Sequence, residues 1–323
     1  MSTLVIHAHD AGIAVADATG VRAIEPGFAL VERDRIVTGN EARSQARLKP
    51  RLISNRYWSE LSLEPGSAGA EIGKTAAELA FAQLQALWQR FGTGSTDVLL
   101  VVPGHYHTQQ LGLLLGLAQE CAMPVRALVD AAAAASTRPY DGAELIYVDA
   151  GLHRTSVTLL DQSGEASVRS EHALTQSGLA GVIDAFAHRI GEAFVGATRF
   201  DPFHRAETEQ TLYDRLQEWL AVLLDREHAE LLLSHGDNEF RVDVPRDAVV
   251  GAAAGFYRAV SQLIAQHRDP ARPLVVQVSD RLAALPGFVA ELDRLDDTRV
   301  ECLAAGHAAN GALLAASQFT TAN

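Results

Sequence analysis

Apolar positions along this chain fall into short runs whose order repeats. Leu4-Val5-Ile6, Ile13-Ala14-Val15-Ala16 and Val21-Arg22-Ala23-Ile24 are β-prone stretches separated by Asp- and Gly-bearing turns, and they predict three meandering strands. The same order returns with Leu145-Ile146-Tyr147-Val148, then Thr155 to Leu160, then a strand running through Val168. Both copies place an Asp-x-x-Gly turn between the second and third strands, Asp17 to Gly20 and Asp161 to Gly164. Further on, Asp97-Val98-Leu99-Leu100-Val101-Val102 and Leu274-Val275-Val276-Gln277-Val278 are nearly continuous apolar runs, suited to strands covered on both faces. The first predicts a following helix from Thr108 to Cys121, a short strand from Val125 to Val129 and an alanine-rich helix from Asp130. The second predicts a helix from Phe288 to about Leu295, a strand from Val300 to Leu303 and a small-residue helix from Ala304 to Ser317. Each half thus reads as three strands, helix, strand, helix, strand, helix.

The expected fold class is α/β, with one unit used twice and two lobes around a central cleft. Crossovers between parallel strands are right-handed, and ligands of such sheets lie beyond the C-terminal strand ends. Lobe I is expected over residues 1–140 plus 304–323 and lobe II over 141–303. Amphipathic helices join the pieces. Thr75-Ala76-Ala77-Glu78 is a capping box, and Leu84, Leu87, Trp88 and Phe91 share one face of the helix it opens. Leu212, Leu216, Trp219, Leu220 and Leu223 form a similar stripe, and His235-Gly236-Asp237-Asn238 reads as a turn between two strands. Residues 196–246 are therefore expected to form a rim subdomain that the first half does not match in size.

Composition narrows the partners. The chain has 323 residues, enough for two cores, and its 27 Lys+Arg against 40 Asp+Glu give a net charge of −13. Such a surface repels phosphate backbones, so nucleic acid is not expected as a partner. No unbroken run of 18 apolar residues occurs, so no membrane insertion is expected. The N-terminus enters a strand directly without a basic leader, and Cys121 and Cys302 form no framework, so a cytoplasmic protein is expected.

The repeat resembles the ATPase domain of the 70 kDa heat-shock chaperones and, more widely, the actin superfamily. Gly39-Asn40-Glu41-Ala42-Arg43-Ser44-Gln45 is similar to the family's Gly-Asp-x-Ala-x-x-Gln segment, and Val101-Val102-Pro103 to its strand ending in Val-Pro. Asp130 with five alanines resembles the connecting Glu-Pro-x-Ala-Ala-Ala helix, and Gly306-His307-Ala308-Ala309-Asn310-Gly311-Ala312 the closing one. The resemblance implies a duplicated ribonuclease H-like fold and a cleft for ATP or ADP with Mg. The chain ends where that family's peptide-binding domain would be linked.

The phosphate loops depart from the family. Its first loop, Asp-x-Gly-Thr-Thr, is matched by His7-Ala8-His9-Asp10-Ala11, and its second, Asp-x-Gly-Gly-Gly-Thr, by Asp149-Ala150-Gly151-Leu152-His153-Arg154. The nucleoside segment gives Ser279-Asp280-Arg281 in place of Gly-Gly. Glycines let backbone amides reach phosphate, and side chains deny that approach. The catalytic set implied by the resemblance is Asp149, Asp130 and, for the family's lysine, Arg56. Nucleotide-contacting positions are His7, His9, Asp10, Gly151, His153, Arg154, Ser279, Asp280 and Arg281. The expected function is a degenerate, non-catalytic binding or assembly protein with a protein partner. A weak but live ATPase is the first alternative. The second is a metal-dependent hydrolase using His7, His9, His105, His107 and His153, all placed just past strand ends.

Overall fold

The computed structural model describes residues 2–317 except 34, 70, 71 and 165. The first half opens with strands β1 (Thr3–His7), β2 (Ile13–Asp17) and β3 (Gly20–Glu25). A small appended piece follows, made of β4 (Ala29–Glu32), β5 (Arg35–Thr38), α1 (Asn40–Arg43) and β6 (Ile53–Ser54). The unit then completes with α2 (Ala76–Phe91), β7 (Asp97–Val102), α3 (Thr108–Glu120), β8 (Val125–Asp130) and α4 (Ala131–Ala135). The second half contains β9 (Glu144–Ala150), β10 (Arg154–Asp161), β11 (Ser167–Thr175), α5 (Leu179–Thr198), α6 (Ala206–Asp225), β12 (His228–His235) and β13 (Asn238–Pro245). It ends with α7 (Arg246–His267), β14 (Leu274–Val278), α8 (Asp280–Ala283), α9 (Phe288–Leu292), β15 (Thr298–Cys302) and α10 (His307–Leu314).

Two five-stranded mixed sheets dominate, ordered β3-β2-β1-β7-β8 and β11-β10-β9-β14-β15. Pairing directions correspond strand for strand: the first three are antiparallel and the last two join in parallel. Even the irregularities correspond. Each hairpin shifts register just before its turn aspartate, at Val15/Ala16 before Asp17 and at Leu159/Leu160 before Asp161. In both cases the partner strand carries the extra residue, Arg22 in one and Arg169 in the other. A bulge bends its strand and strengthens the local twist, so the two sheets curl alike.

Burial explains the layers. β7, β9 and β14 are buried along their whole length, as their apolar runs require. One core packs α2 and α3 on the outer face of the first sheet. A second gathers α5, α6, α7 and the β12–β13 hairpin on the second sheet. A third lies between the sheets, where α4 and α10 supply Ala131, Ala132, Ala134, Ala135, Ala308, Ala309 and Ala312. Small side chains are required there: a Cβ on Gly311 would stand 1.9 Å from the carbonyl oxygen of Ala134.

The expected capping box at Thr75 and Glu78 forms, with both reciprocal hydrogen bonds. The His235–Asn238 turn joins β12 to β13, with Gly236 at φ 58°. The first half differs from expectation in carrying its own addition, the three-stranded sheet β5-β4-β6. The closing helix is also shorter than expected, because Gly306 in the left-handed region starts it at His307. α7 is long and apolar enough by length and composition to cross a membrane. Its stripe of Val249, Ala253, Tyr257, Val260 and Ile264 is instead buried in the second core.

Candidate functional site

The parallel strands of both sheets point their C-terminal ends at the same region, and the loops that follow line a cleft. Its walls include His9, Asp10, Trp58, Gly104, His105, Ala131, Asp149, Gly151, Arg154, Ser156 and Glu171. The cleft spans about 570 Å³ with its open mouth. The two walls are close together.

Asp149, at the end of β9, is buried and fully engaged. Arg281 Nη1 donates to both carboxylate oxygens at 2.8 and 3.1 Å, and Tyr147 donates its hydroxyl at 3.1 Å. His9 Nε2 lies 3.2 Å from the same carboxylate. The Ala11 amide donates to His9 Nδ1 at 3.3 Å, so the proton of that ring faces Asp149. Burial alone would raise the Asp149 pKa; Arg281 and His9 outweigh it and hold the carboxyl well below the usual range. Ser279 Oγ lies near enough to favour the charged form, yet outside hydrogen-bond geometry. Arg281 also reaches the Gly12 carbonyl of the first lobe at 3.5 Å.

The turn amides are committed as well. The Leu152 amide donates to Asp10 Oδ1 at 3.0 Å across the cleft, and the Gly151 amide donates to the Arg154 carbonyl at 2.8 Å. In the first turn, the amides of Ala8, Ala11 and Gly12 bond to Val101 O, His9 Nδ1 and His9 O. Gly151 itself is required by space, since a Cβ there would lie 2.4 Å from Asp10 Oδ1. Gly178 is equally constrained: its Cβ would meet Arg154 N, Gly151 O and Leu152 O within 2.7 Å.

Nearer the mouth, two carboxyls approach each other from opposite lobes. Asp130 caps α4 through Oδ1, which accepts from the Ala132 and Ala133 amides at 2.9 and 3.0 Å. Glu171 on β11 accepts from Ser156 Oγ at 2.8 Å. Their remaining oxygens flank Gly104, lying 3.0 and 2.5 Å from the point where its Cβ would stand. Burial raises both pKa values, and the charge of Asp130 adds to the effect on Glu171. His105 stands beside them with its pKa lowered to about 4, first by burial and then by Arg154 and His9.

No protein-family model matches the chain, and no curated protein is significantly similar to it.

Of the residues picked out in the sequence, His9, Asp10, Asp149, Gly151 and Arg154 line this cleft, and Asp130 caps the helix at its wall. His7, Ser279, Asp280 and Arg281 line a smaller recess that shares Tyr147 with the cleft. His153 bonds Asn55 Oδ1 at 3.1 Å across the lobes. Arg56 lines neither space; it is exposed and pairs with Glu60 at 3.1 Å. His107 caps α3 instead of facing the cleft, accepting from the Gln110 amide at 3.3 Å.

Glu171 and Arg47 escaped the sequence reading. Arg47, after α1, bonds Asp184 Oδ1 at 2.7 Å, lies 3.5 Å from Glu209 and stacks over the Tyr213 ring at 3.7 Å. Its amide donates to Gln210 Oε1 at 2.8 Å, so this residue bolts the rim of the first lobe to α5 and α6 of the second.

Proposed function

We propose that this chain is a two-lobed relative of the actin and heat-shock ATPase superfamily, a duplicated ribonuclease H-like fold. In this reading it acts as a non-catalytic binding or assembly protein. The matching strand orders, pairing directions and paired bulges support duplication. The observation that carries the functional part is the engagement of Asp149 by Arg281, His9 and Tyr147. An acid that is to hold a hydrated Mg²⁺ must face water and metal; this one faces a guanidinium.

The residues present do not fit Mg with ATP or ADP. The loop amides that would cradle phosphate donate to protein acceptors, and Arg154 in the cleft wall lies 3.9 Å from Glu171. Forfeiting even three charge-assisted hydrogen bonds, at about 1.5–3 kcal/mol each, weakens binding by on the order of a thousandfold or more. The partner class in this proposal is a protein in the cytoplasm, with no role for nucleic acid at a net charge of −13. The hydrolase alternative gains no support: among the described residues, no three His, Cys, Asp or Glu side chains are grouped to hold a metal ion.

A phosphate-release assay with Mg-ATP at high protein concentration tests the catalytic part. The expected result is background release, equal for the native chain and Asp149→Ala. Release that disappears in Asp149→Ala would establish a live ATPase.

A further inference from the structure

Behind the Asp149–Arg281 pair lies a second, smaller recess. It forms where the end of β1, the turn into α8 and the start of α10 meet, and His7, Tyr147, Ser279, Asp280 and His307 help line it. His7 is 2% exposed and Ser279 is 3% exposed. His7 Nε2 and Ser279 Oγ are both buried, and among the described residues neither meets hydrogen-bond geometry with a partner, although Ser279 Oγ lies near the Asp149 carboxylate. Leaving a buried polar atom unpaired costs about 1–3 kcal/mol, and two such atoms beside one recess indicate a shared guest.

We propose that this recess is a binding site for one neutral, hydroxyl-sized group, held between His7 Nε2 and Ser279 Oγ. The space sets the size: a cavity of about 10 Å³ is at the lower end of the room one water molecule needs. The surrounding charges set the polarity. Arg281 in the recess wall is committed to Asp149, while Asp280 also lines it, so among the described lining residues an anion finds no free counter-charge. His7 supports a neutral guest, because burial, then His9 and Arg281, hold its pKa far below the usual value and keep the ring uncharged. Ser279 is the N-cap of α8 but makes no side-chain cap hydrogen bond, so the helix end does not occupy its hydroxyl. The guest is a water molecule or the hydroxyl of a larger molecule reaching in from the mouth. In either case it ties β1 of the first lobe to α8 of the second beside α10. This inference is independent of what the main cleft binds.

Denaturant titration of Ser279→Ala, His7→Leu and the double variant tests it. Each single change is expected to lower the urea midpoint, and the double to lie no lower than the worse single, because either loss releases the same guest. A rise in midpoint for Ser279→Ala, as expected for removing a truly unpaired hydroxyl, would overturn the proposal, as would strictly additive losses. If the variants do not fold, a high-resolution crystal structure of the native chain, grown without polyols, decides. A compact density peak within hydrogen-bond distance of both atoms identifies water, and elongated density identifies the hydroxyl of a larger ligand. Both support the site; no density there refutes it.

Discussion

Asp149 and Arg281 set the character of the cleft at the residue scale. Both side chains are nearly buried, at 8% and 12% exposure, so removing one partner strands the other. Arg281→Leu is expected to cost about 3–5 kcal/mol, read as a lowered urea midpoint at pH 7, with part recovered in Arg281→Leu/Asp149→Leu. Acid should weaken the same pair. A carboxyl held below its ordinary value contributes its stability at neutral pH and loses it as pH falls below 3.8. His105 acts in a higher window: its pKa of about 4 against 6.5 unfolded means that stability falls as pH drops from 6.5 towards 4. His105→Gln should flatten that decline by on the order of 2 kcal/mol, measured as unfolding free energy at pH 7 and pH 5. Glu171 has the opposite sign. Its raised pKa favours the protonated folded form, so its contribution grows as pH falls towards 4.5, and Glu171→Gln removes that gain. Asp149, Gly151 and Asp10 were legible in the sequence because they sit at strand-end turns, where polar residues interrupt apolar runs. Glu171 was not, because Ser167-Val168-Arg169-Ser170-Glu171-His172 reads as an edge strand facing solvent, and only the fold shows that it faces Asp130.

The two small-residue helices are the most constrained elements. α4 and α10 cross with Gly311 against the Ala134 carbonyl, a backbone atom that cannot swing away. Gly311→Ala should therefore destabilise the chain by about 1–3 kcal/mol or more, despite the better helix propensity of alanine. An unchanged urea midpoint would show that the crossing can relax. Most elements could be read from periodicity, since β7, β9 and β14 are continuous apolar runs and α2 carries its capping box. The β4–β5 hairpin was missed because its strands are only four residues each and Arg35 opens the second. The closing helix was expected from Ala304 but starts at His307, because Gly306 takes a left-handed conformation that a small-residue composition does not reveal.

Across the whole molecule, the cleft is held shut at two levels. Its floor is joined by Asp10 to Leu152, His9 to Asp149 and Arg281 to Gly12; its rim is joined by Arg47 to α5 and α6. Arg47 is one-third exposed, so its ion pairs contribute less than about 1 kcal/mol to stability, but they bridge the two lobes at the mouth. Arg47→Ala should leave the urea midpoint nearly unchanged while speeding amide exchange at Leu152 and in residues 40–49. Exchange identical to that of the native chain would show that the floor contacts alone keep the lobes together. The two five-stranded mixed sheets could be expected from the repeat, whereas the closure could not, because it depends on residues more than 130 positions apart meeting across the gap. Calorimetric titration of the native chain with Mg-ATP is the most direct trial of a cleft already filled by its own side chains. The expected trace shows no saturable heat up to millimolar nucleotide; micromolar binding that vanishes in Asp149→Ala would contradict it.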